Sequence, residues 1–200
     1  IVNVAVGNYA LDANTIGGSN TAVGYGSLSA NTTASNNSGF GKNALMSNTT
    51  AANNTAVGYE SLKANTTGSA NVGVGVNTLL VNTIGEANTA VGTAALGSNI
   101  SGDNNTALGR SALINNTASN NTAVGKDSLY SNTTGTQNVA LGKDALAVNT
   151  TANYNTAIGA VCLRSNTTGT RNTGLGRGVL EFNSTANDNT AVGYGALQVN

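Results

Sequence analysis

Histidine is absent from the 200-residue sequence, and charged residues make up only 8% of it. Without histidine the chain lacks the usual general base of enzymes and the commonest metal ligand of proteins. The few acidic residues are mostly dispersed, and aspartate does not recur at a fixed point in every unit as it does in calcium-binding β-rolls. We therefore expect no enzymatic activity, no metal site and no cofactor.

Other features are also scarce, and each scarcity excludes a class of protein. Eight basic residues balance eight acidic ones, which leaves no electrostatic footprint for nucleic acid or for an anionic membrane surface. Cys162 is the single cysteine, so no disulfide framework exists, and we expect it to be a small buried side chain. No apolar run is long enough to span a bilayer, so this segment is not expected to insert into a membrane.

Near-copies of one 17-residue unit run through the whole sequence, and one copy, residues 105–120, has 16 residues. We number the positions of each copy from its first residue, which is always asparagine. The twelve first residues are Asn3, Asn20, Asn37, Asn54, Asn71, Asn88, Asn105, Asn121, Asn138, Asn155, Asn172 and Asn189. Self-similarity at a short fixed period predicts a stacked array of 12 coils. We expect residues 1–200 to form one uninterrupted array that is a slice of a longer fibre.

The pattern within each copy predicts β-structure. The copy that begins at Asn71 alternates Val and Gly from Val72 to Val76, which is the period of a strand. Position 4 is always Val, Leu, Ile or Phe, and position 9 is always Leu. We predict that both side chains point inward and that the segment around position 9 forms a second short strand. The resulting fold is an all-β solenoid or β-roll with two short strands per coil and turns between them. In the central coils its predicted core is Val57, Leu62, Val74, Leu79, Val91, Leu96, Leu108 and Leu113.

Asparagine recurs at position 12 as well as position 1, from Asn14 to Asn200. In a stack, each side-chain amide can donate to and accept from the same asparagine one coil away. We predict such ladders at Asn54, Asn65, Asn71, Asn82, Asn88 and Asn99. Several asparagines also match the N-x-S/T acceptor pattern for glycosylation, namely Asn31, Asn48, Asn65, Asn132, Asn149, Asn166 and Asn183. A corner ladder accounts for these residues equally well, and we prefer it.

Small residues mark positions 3 and 5, which are restricted to Ala or Gly and to Gly respectively. This restriction implies that another backbone comes close, or that position 5 needs a positive φ at a bend. We predict close packing at Gly58, Gly75 and Gly92. We also expect another copy of the chain to dock along this Ala/Gly stripe, which would give a homo-oligomer.

Positions 6 and 7 carry charge in two adjacent coils. Lys126-Asp127 and Lys143-Asp144 occupy the same positions and would form a small surface cluster. We interpret this cluster as a solvated face.

The motif N-T-A-V-G-x-x-A/S-L, as in Asn20–Leu28 and Asn155–Leu163, resembles the head repeats of trimeric autotransporter adhesins. Similar repeats occur in phage tail-fibre-like proteins. The resemblance covers all 12 copies and implies a left-handed parallel β-roll, with three chains side by side, on a cell or virion surface. The repeat departs from the adhesin unit in being longer and in adding the Leu and N-T-T segment.

The leading interpretation is a non-enzymatic structural repeat of an extracellular fibre, either the head or stalk of an adhesin or the shaft of a phage fibre. Its partners would be copies of itself and a surface or matrix ligand that the sequence does not identify. The alternative is an ice-binding or other ligand-binding solenoid, since threonine recurs at positions 2, 13 and 14. Against ice binding, position 2 is predicted to share the inward face with position 4.

Overall fold

The computed structural model describes residues 2–199, which form an all-β solenoid with one short strand in each coil. Twelve parallel strands make a single sheet, and their order in the sheet is their order in the chain. The strands are β1 (Val4–Val6), β2 (Thr21–Val23), β3 (Ser38–Phe40), β4 (Thr55–Val57), β5 (Val72–Val74), β6 (Thr89–Val91), β7 (Thr106–Leu108), β8 (Thr122–Val124), β9 (Val139–Leu141), β10 (Thr156–Ile158), β11 (Thr173–Leu175) and β12 (Thr190–Val192). No helix occurs within residues 2–199. The fold class predicted from the repeat is confirmed.

The coils stack in constant register. Thr55 lies opposite Val72, and the register continues across the 16-residue copy, where Thr106 lies opposite Thr122. Backbone hydrogen bonds between coils extend beyond the strands: at position 9, the Leu62 N–H donates to the position 8 carbonyl of the next coil over 2.9 Å. Hydrogen bonding along the stack therefore holds the coil at several points around its circumference, and not only at the sheet.

The structure differs from the predicted coil in having no second strand. The leucine at position 9 has a φ between 47° and 52° in all twelve copies, and position 7 is also left-handed, as at Glu60 with a φ of 53°. An extended strand needs negative φ, so these two positions turn the segment into a succession of tight turns. Left-handed backbone costs a leucine roughly 1–2 kcal/mol. In the ten coils from Leu28 to Leu180, that strain is offset by complete burial of the side chain.

The core lies between position 3 of the strand and the leucine at position 9. Leucines Leu62, Leu79, Leu96 and Leu113 have no exposed surface, as predicted. Ala56 and the other strand alanines of the central coils are equally buried. The interior is thus a column of leucine packed against a column of alanine or glycine.

The prediction that position 4 points into the core is wrong. Val57 and Val91 are each 38% exposed, Leu108 is 37% exposed, and Val74 is half-buried. Alternation defines two faces of a strand but not which face is inside. The coil is too narrow for a branched side chain at position 3, so the Ala/Gly face turns inward and the larger residues at positions 2 and 4 turn outward.

A size rule links position 8 of one coil to position 3 of the next. A Cβ added to Gly39 would lie 2.5 Å from Ser27 Oγ, and one added to Gly174 would lie 2.5 Å from Cys162 Sγ. Gly73 has the same relation to a serine. These are the three coils in which glycine replaces alanine at position 3. Thr78 and Ser128, which are followed by alanine at position 3 of the next coil, donate instead to the position 5 carbonyl of their own coil, so glycine is needed only where the position 8 side chain projects toward the next coil.

The close-packing glycines approach the next coil of their own chain. Gly58 has a φ of 132°, and a Cβ there would collide with the carbonyl of Gly75. Gly75 stands in the same relation to Gly92. The prediction that a second chain docks along the Ala/Gly stripe is wrong, because Ala56 and Ala90 are fully buried inside the coil.

The position 12 asparagines form a buried ladder. Asn65 Nδ2 donates to Asn48 Oδ1 and to the Gly68 carbonyl, each over 2.9 Å, and Asn82 Nδ2 donates to Asn65 Oδ1 over 2.9 Å. One amide thus links the coil before it, the turn that follows it and the coil after it. Asn200 lies outside the described residues.

The position 1 asparagines form a second ladder of a different kind. The Asn71 backbone N–H donates to Asn54 Oδ1 over 2.9 Å, and the Asn88 backbone N–H donates to Asn71 Oδ1 over 3.0 Å. Asn71 Nδ2 donates to the Gly85 carbonyl over 2.8 Å. All six predicted ladder residues are fully buried and take part in these bonds, with Asn99 donating to Asn82 over 2.8 Å.

The position 12 ladder is interrupted at the 16-residue copy. The Asn116 amide donates to the Ala118 carbonyl, two residues on, instead of the usual carbonyl three residues on. The missing residue is therefore position 14, between Thr117 and Ala118. Asn99 Oδ1, which an intact ladder would pair with Asn116, is buried without a hydrogen-bond partner.

Candidate functional surfaces

The outer surface of the sheet, formed by positions 2 and 4 and called here the strand face, carries two parallel rows of side chains. Position 4 supplies an unbroken apolar row whose members include Phe40, Leu141 and Leu175, exposed by 40 to 44%. Position 2 is threonine in eight of the twelve strands. Contiguous apolar surface of this kind is typical of an interaction site.

Two rows of threonine differ in what their hydroxyls do. At position 13, Thr66 Oγ1 donates to the Thr83 carbonyl over 3.0 Å, and the same bond recurs in most coils. At position 2, the hydroxyls of Thr55, Thr89 and Thr106 have no hydrogen-bond partner within the described chain. The strand face therefore presents free hydroxyls to water, whereas the position 13 hydroxyls help to join the coils.

The seven asparagines that match the glycosylation pattern are all fully buried. Their amides are committed to the position 12 ladder, as in the bond from Asn149 Nδ2 to Asn132 Oδ1 at 2.7 Å. A glycan on such an amide would have to occupy the interior of the coil. The folded rod therefore does not offer these acceptors, and the preferred ladder interpretation matches where the side chains lie.

The turns at positions 6 to 11 form a second outward surface, which we call the turn face. Columns 7 and 10 run along it side by side, and their side chains differ in size from coil to coil. In two places a small residue at position 10 lies between larger ones, and the surface has a notch there. One notch, of about 360 Å³, is lined by Tyr9, Asp12, Tyr25, Asn43 and Met46 among others.

The second notch, of about 420 Å³, lies over Ala147. At position 10, Ala147 is preceded by Tyr130 and followed by Arg164, so a missing side chain separates two large ones. Asp127 and Asp144 line the notch from column 7. Sequence reasoning missed this site, although the sequence of sizes Tyr, Ala, Arg at position 10 was the available signal.

In the first coils of the turn face, one lysine lies over two tyrosine rings. Tyr9 and Tyr25 meet edge to face, with ring centroids 5.5 Å apart. Lys42 Nζ lies 5.9 Å from the Tyr25 ring centre and 6.0 Å from that of Tyr59. The position 6 side chains of neighbouring coils thus contact one another on the surface.

Two ion pairs displace the pKa of a carboxyl group. Lys63 Nζ lies 2.8 Å from Glu60 Oε1, and its hydrogen bond lowers the pKa of Glu60 below the ordinary value. Arg171 donates to both carboxylate oxygens of Asp188 and lowers the pKa of that carboxyl. Both pairs are at the surface. Glu60 also accepts a hydrogen bond from Asn43, which lines the first notch, over 3.3 Å, whereas neither Arg171 nor Asp188 lines a notch.

Cys162 is fully buried at position 8, as predicted. Desolvation raises the pKa of its thiol to about 11, which keeps it protonated and unreactive at neutral pH. The structural role of the cysteine is to fill the space that Gly174 leaves open.

Within residues 2–199, no three His, Cys, Asp or Glu side chains come together as a group able to hold a metal ion. The same residues contain no helix long and apolar enough to cross a membrane. Comparison with protein-family models, with curated proteins and with solved structures finds no match to this chain.

Proposed function

We propose that this chain is a non-enzymatic structural segment of an extracellular surface fibre, such as an adhesin head or stalk or the shaft of a phage fibre. The observation that supports it is the constant register of twelve strands in one uninterrupted stack. Hydrogen bonds of the sheet and of both asparagine ladders run from coil to coil, along the direction in which a fibre carries load. Each coil contacts mainly its neighbours, so the rod can be lengthened by adding copies.

The length of the rod provides a direct test. Eleven strand-to-strand steps of roughly 4.8 Å give about 53 Å. Small-angle scattering or electron microscopy of the purified chain should show a rod of this length or a multiple of it, with a cross-section only one coil wide per chain. A compact particle of the same mass would contradict the proposal.

We further propose that copies of the chain associate side by side, as a trimer, through the strand face. The apolar row at position 4 supports this choice, since it runs the length of the rod and includes Val57, Val91 and Leu108 at more than one third exposure. Val57→Lys with Val91→Lys should convert the oligomer to a monomer in sedimentation while the circular dichroism spectrum stays unchanged. The matched control, Thr67→Lys with Thr134→Lys at exposed position 14, should leave the oligomer intact. A monomeric natural chain at micromolar concentration would contradict this proposal.

A second candidate function is ice binding, and one observation favours it. The strand face carries a row that is threonine in eight of the twelve strands beside a row of Val, Leu, Ile or Phe, and the position 2 threonine hydroxyls are free for water. Neighbouring threonines are roughly 4.8 Å apart along the rod, and the two rows are roughly 6.7 Å apart across it. A flat, regularly spaced array of hydroxyl and methyl groups can order water into an ice-like layer. This use and the side-by-side oligomer exclude one another, because both need the same face.

Measurement of thermal hysteresis distinguishes ice binding from side-by-side association. If the face binds ice, the natural chain should shape ice crystals, and Thr89→Tyr with Thr122→Tyr should abolish the effect. The matched control, Thr67→Tyr with Thr134→Tyr at position 14, should retain it. Absence of hysteresis in a chain that sedimentation shows to be monomeric would remove the ice-binding candidate.

A further inference from the structure

We propose that the notch over Ala147 binds the ring of a carboxylated saccharide, such as a uronic acid. This inference rests on the proposed function, because it names the ligand class that an adhesive fibre would hold at its surface. The notch is about 420 Å³ in volume, within the roughly 300–1,000 Å³ of small-molecule sites. It is bounded by side chains on several sides, since Tyr130 and Arg164 stand on either side of Ala147 in the same column.

The shape of the notch favours a single ring over an extended chain. Tyr130 and Arg164 are two coils apart, which at roughly 4.8 Å per coil leaves about 10 Å between their backbone positions. The methyl group of Ala147 forms the floor between them. Tyr130 is 42% exposed, and its ring offers an apolar surface against which a pyranose can stack its C–H groups.

The charges favour a ligand that is both anionic and rich in hydroxyls. Arg110 and Arg164 line the notch, and neither guanidinium has an ion-pair or hydrogen-bond partner within the described chain. A free guanidinium binds a carboxylate through two parallel hydrogen bonds. Because Lys126 and Lys143 pair with the two aspartates of the notch, the charges of the two guanidiniums are not balanced by those carboxylates.

The two aspartates supply acceptors for hydroxyl groups. Asp127 Oδ2 lies 3.2 Å from Lys126 Nζ and Asp144 Oδ2 lies 3.5 Å from Lys143 Nζ, and each carboxylate is still about one quarter exposed. An ionised carboxylate accepts hydrogen bonds at several lone-pair positions, so both can accept from a sugar as well. An acidic peptide would bring several carboxylates toward these two aspartates, whereas a uronic acid brings one carboxylate together with hydroxyl groups that can donate to them. The cluster that the sequence suggested was a solvated face thus becomes one wall of the notch.

Binding can be measured by NMR chemical-shift changes on titration with glucuronate. We expect saturable changes at residues around Ala147, with a dissociation constant on the order of 1 mM, and binding of glucose weaker by about tenfold or more. Ala147→Leu should abolish the changes by filling the notch. The fold accepts leucine at position 10, where Leu80 occurs naturally. Arg164→Gln should weaken glucuronate more than glucose.

Arg177→Gln is the matched control, because Arg177 is an exposed arginine that lies outside the notch and contacts Tyr194. It should bind glucuronate as the natural chain does. Three results would overturn the proposal: no saturable change with glucuronate, equal binding of glucose, or tighter binding of a Glu-rich peptide. Each of them leaves the rod dimensions untouched, so failure of the saccharide site is distinguishable from failure of the fibre proposal.

Discussion

Replacing Ser27 and Gly39 with alanine, singly and together, tests the size rule that links position 8 of one coil to position 3 of the next. Ser27 is fully buried, and its Oγ donates to the Gly39 carbonyl over 3.0 Å. Gly39→Ala would place a methyl group 2.5 Å from that oxygen. The φ of Gly39 is not in the left-handed region, so the backbone itself accepts alanine. Gly39→Ala should therefore destabilise the fold only through the steric clash with Ser27, and the clash should disappear when Ser27 is also replaced by alanine.

The expected magnitudes follow from these contacts. Overpacking should make Gly39→Ala cost about 1–3 kcal/mol of the free energy of unfolding, with about 1 kcal/mol more if the hydrogen bond breaks. Ser27→Ala should cost about 1 kcal/mol through the lost bond. The double variant recreates the alanine pair that Ala95 and Ala107 form in later coils, so it should be within about 1 kcal/mol of the natural chain. The coupling between the two changes should thus reach about 1–3 kcal/mol.

Urea unfolding followed by circular dichroism gives the four free energies, and hydrogen exchange in coils 2 and 3 reports the local effect. The control cycle pairs Ser27→Ala with Gly174→Ala, which lies nine coils away and should show no coupling. Additivity of Ser27→Ala and Gly39→Ala within about 0.5 kcal/mol would refute the size rule.

Three further predictions concern the ladder, the coil corner and the buried thiol. In a double-mutant cycle by urea unfolding, Asn99→Ala and Asn116→Ala should couple by less than about 0.5 kcal/mol. Two asparagines that share a ladder hydrogen bond, such as Asn82 and Asn99, should couple by about 1 kcal/mol. Equal coupling would mean that the ladder is continuous. Gly58→Ala should lower the free energy of unfolding by more than about 2 kcal/mol, because the added methyl group collides with backbone and the φ is unfavourable for alanine. The control, Gly97→Ala, is at position 10, which is Lys or Tyr in other coils, and should cost less than about 1 kcal/mol. Comparable melting temperatures would contradict this reasoning. The Cys162 thiol, buried and with its pKa raised to about 11, should react with a maleimide at pH 8 only as fast as its coil opens; rapid labelling of the folded chain would show that the core is open there.

The residues that repeat without exception were readable from the sequence, because each meets a demand made once per coil. Leucine at position 9 fills the core, asparagine at positions 1 and 12 links the coils, and glycine at position 5 allows the backbones to approach. The copy from Val72 to Val74 shows why the inner face was misassigned. Its valines and glycine alternate, and hydrophobicity favoured the valines as the core. The narrow interior of the folded coil accepts only the glycine or alanine face, so the valines lie outside.

The missing second strand had a weaker signal. Leucine gives no indication of left-handed backbone, since that conformation is rare for it. Position 7, however, contains Gly26, Asn43, Asn77, Asp127 and Asp144, which are residues that tolerate positive φ. That composition indicates turns at positions 6 to 9. The constant leucine at position 9 favoured a strand instead and hid this signal.

Variation in side-chain size and charge among the copies is greatest at positions that the stack leaves outside, whereas the buried positions 3 and 8 vary only among small and medium-sized residues. Positions 6, 7 and 10 range from glycine to tyrosine and arginine, while the inward positions 1, 5, 9 and 12 are identical in every described coil. Because coils contact only their neighbours, a change at an outer position alters the surface locally without disturbing the core. A notch such as the one over Ala147 then needs nothing more than a small residue between two large ones in one column. The same rod can therefore carry different ligand sites along its length, and the columns of the turn face are where they should be sought.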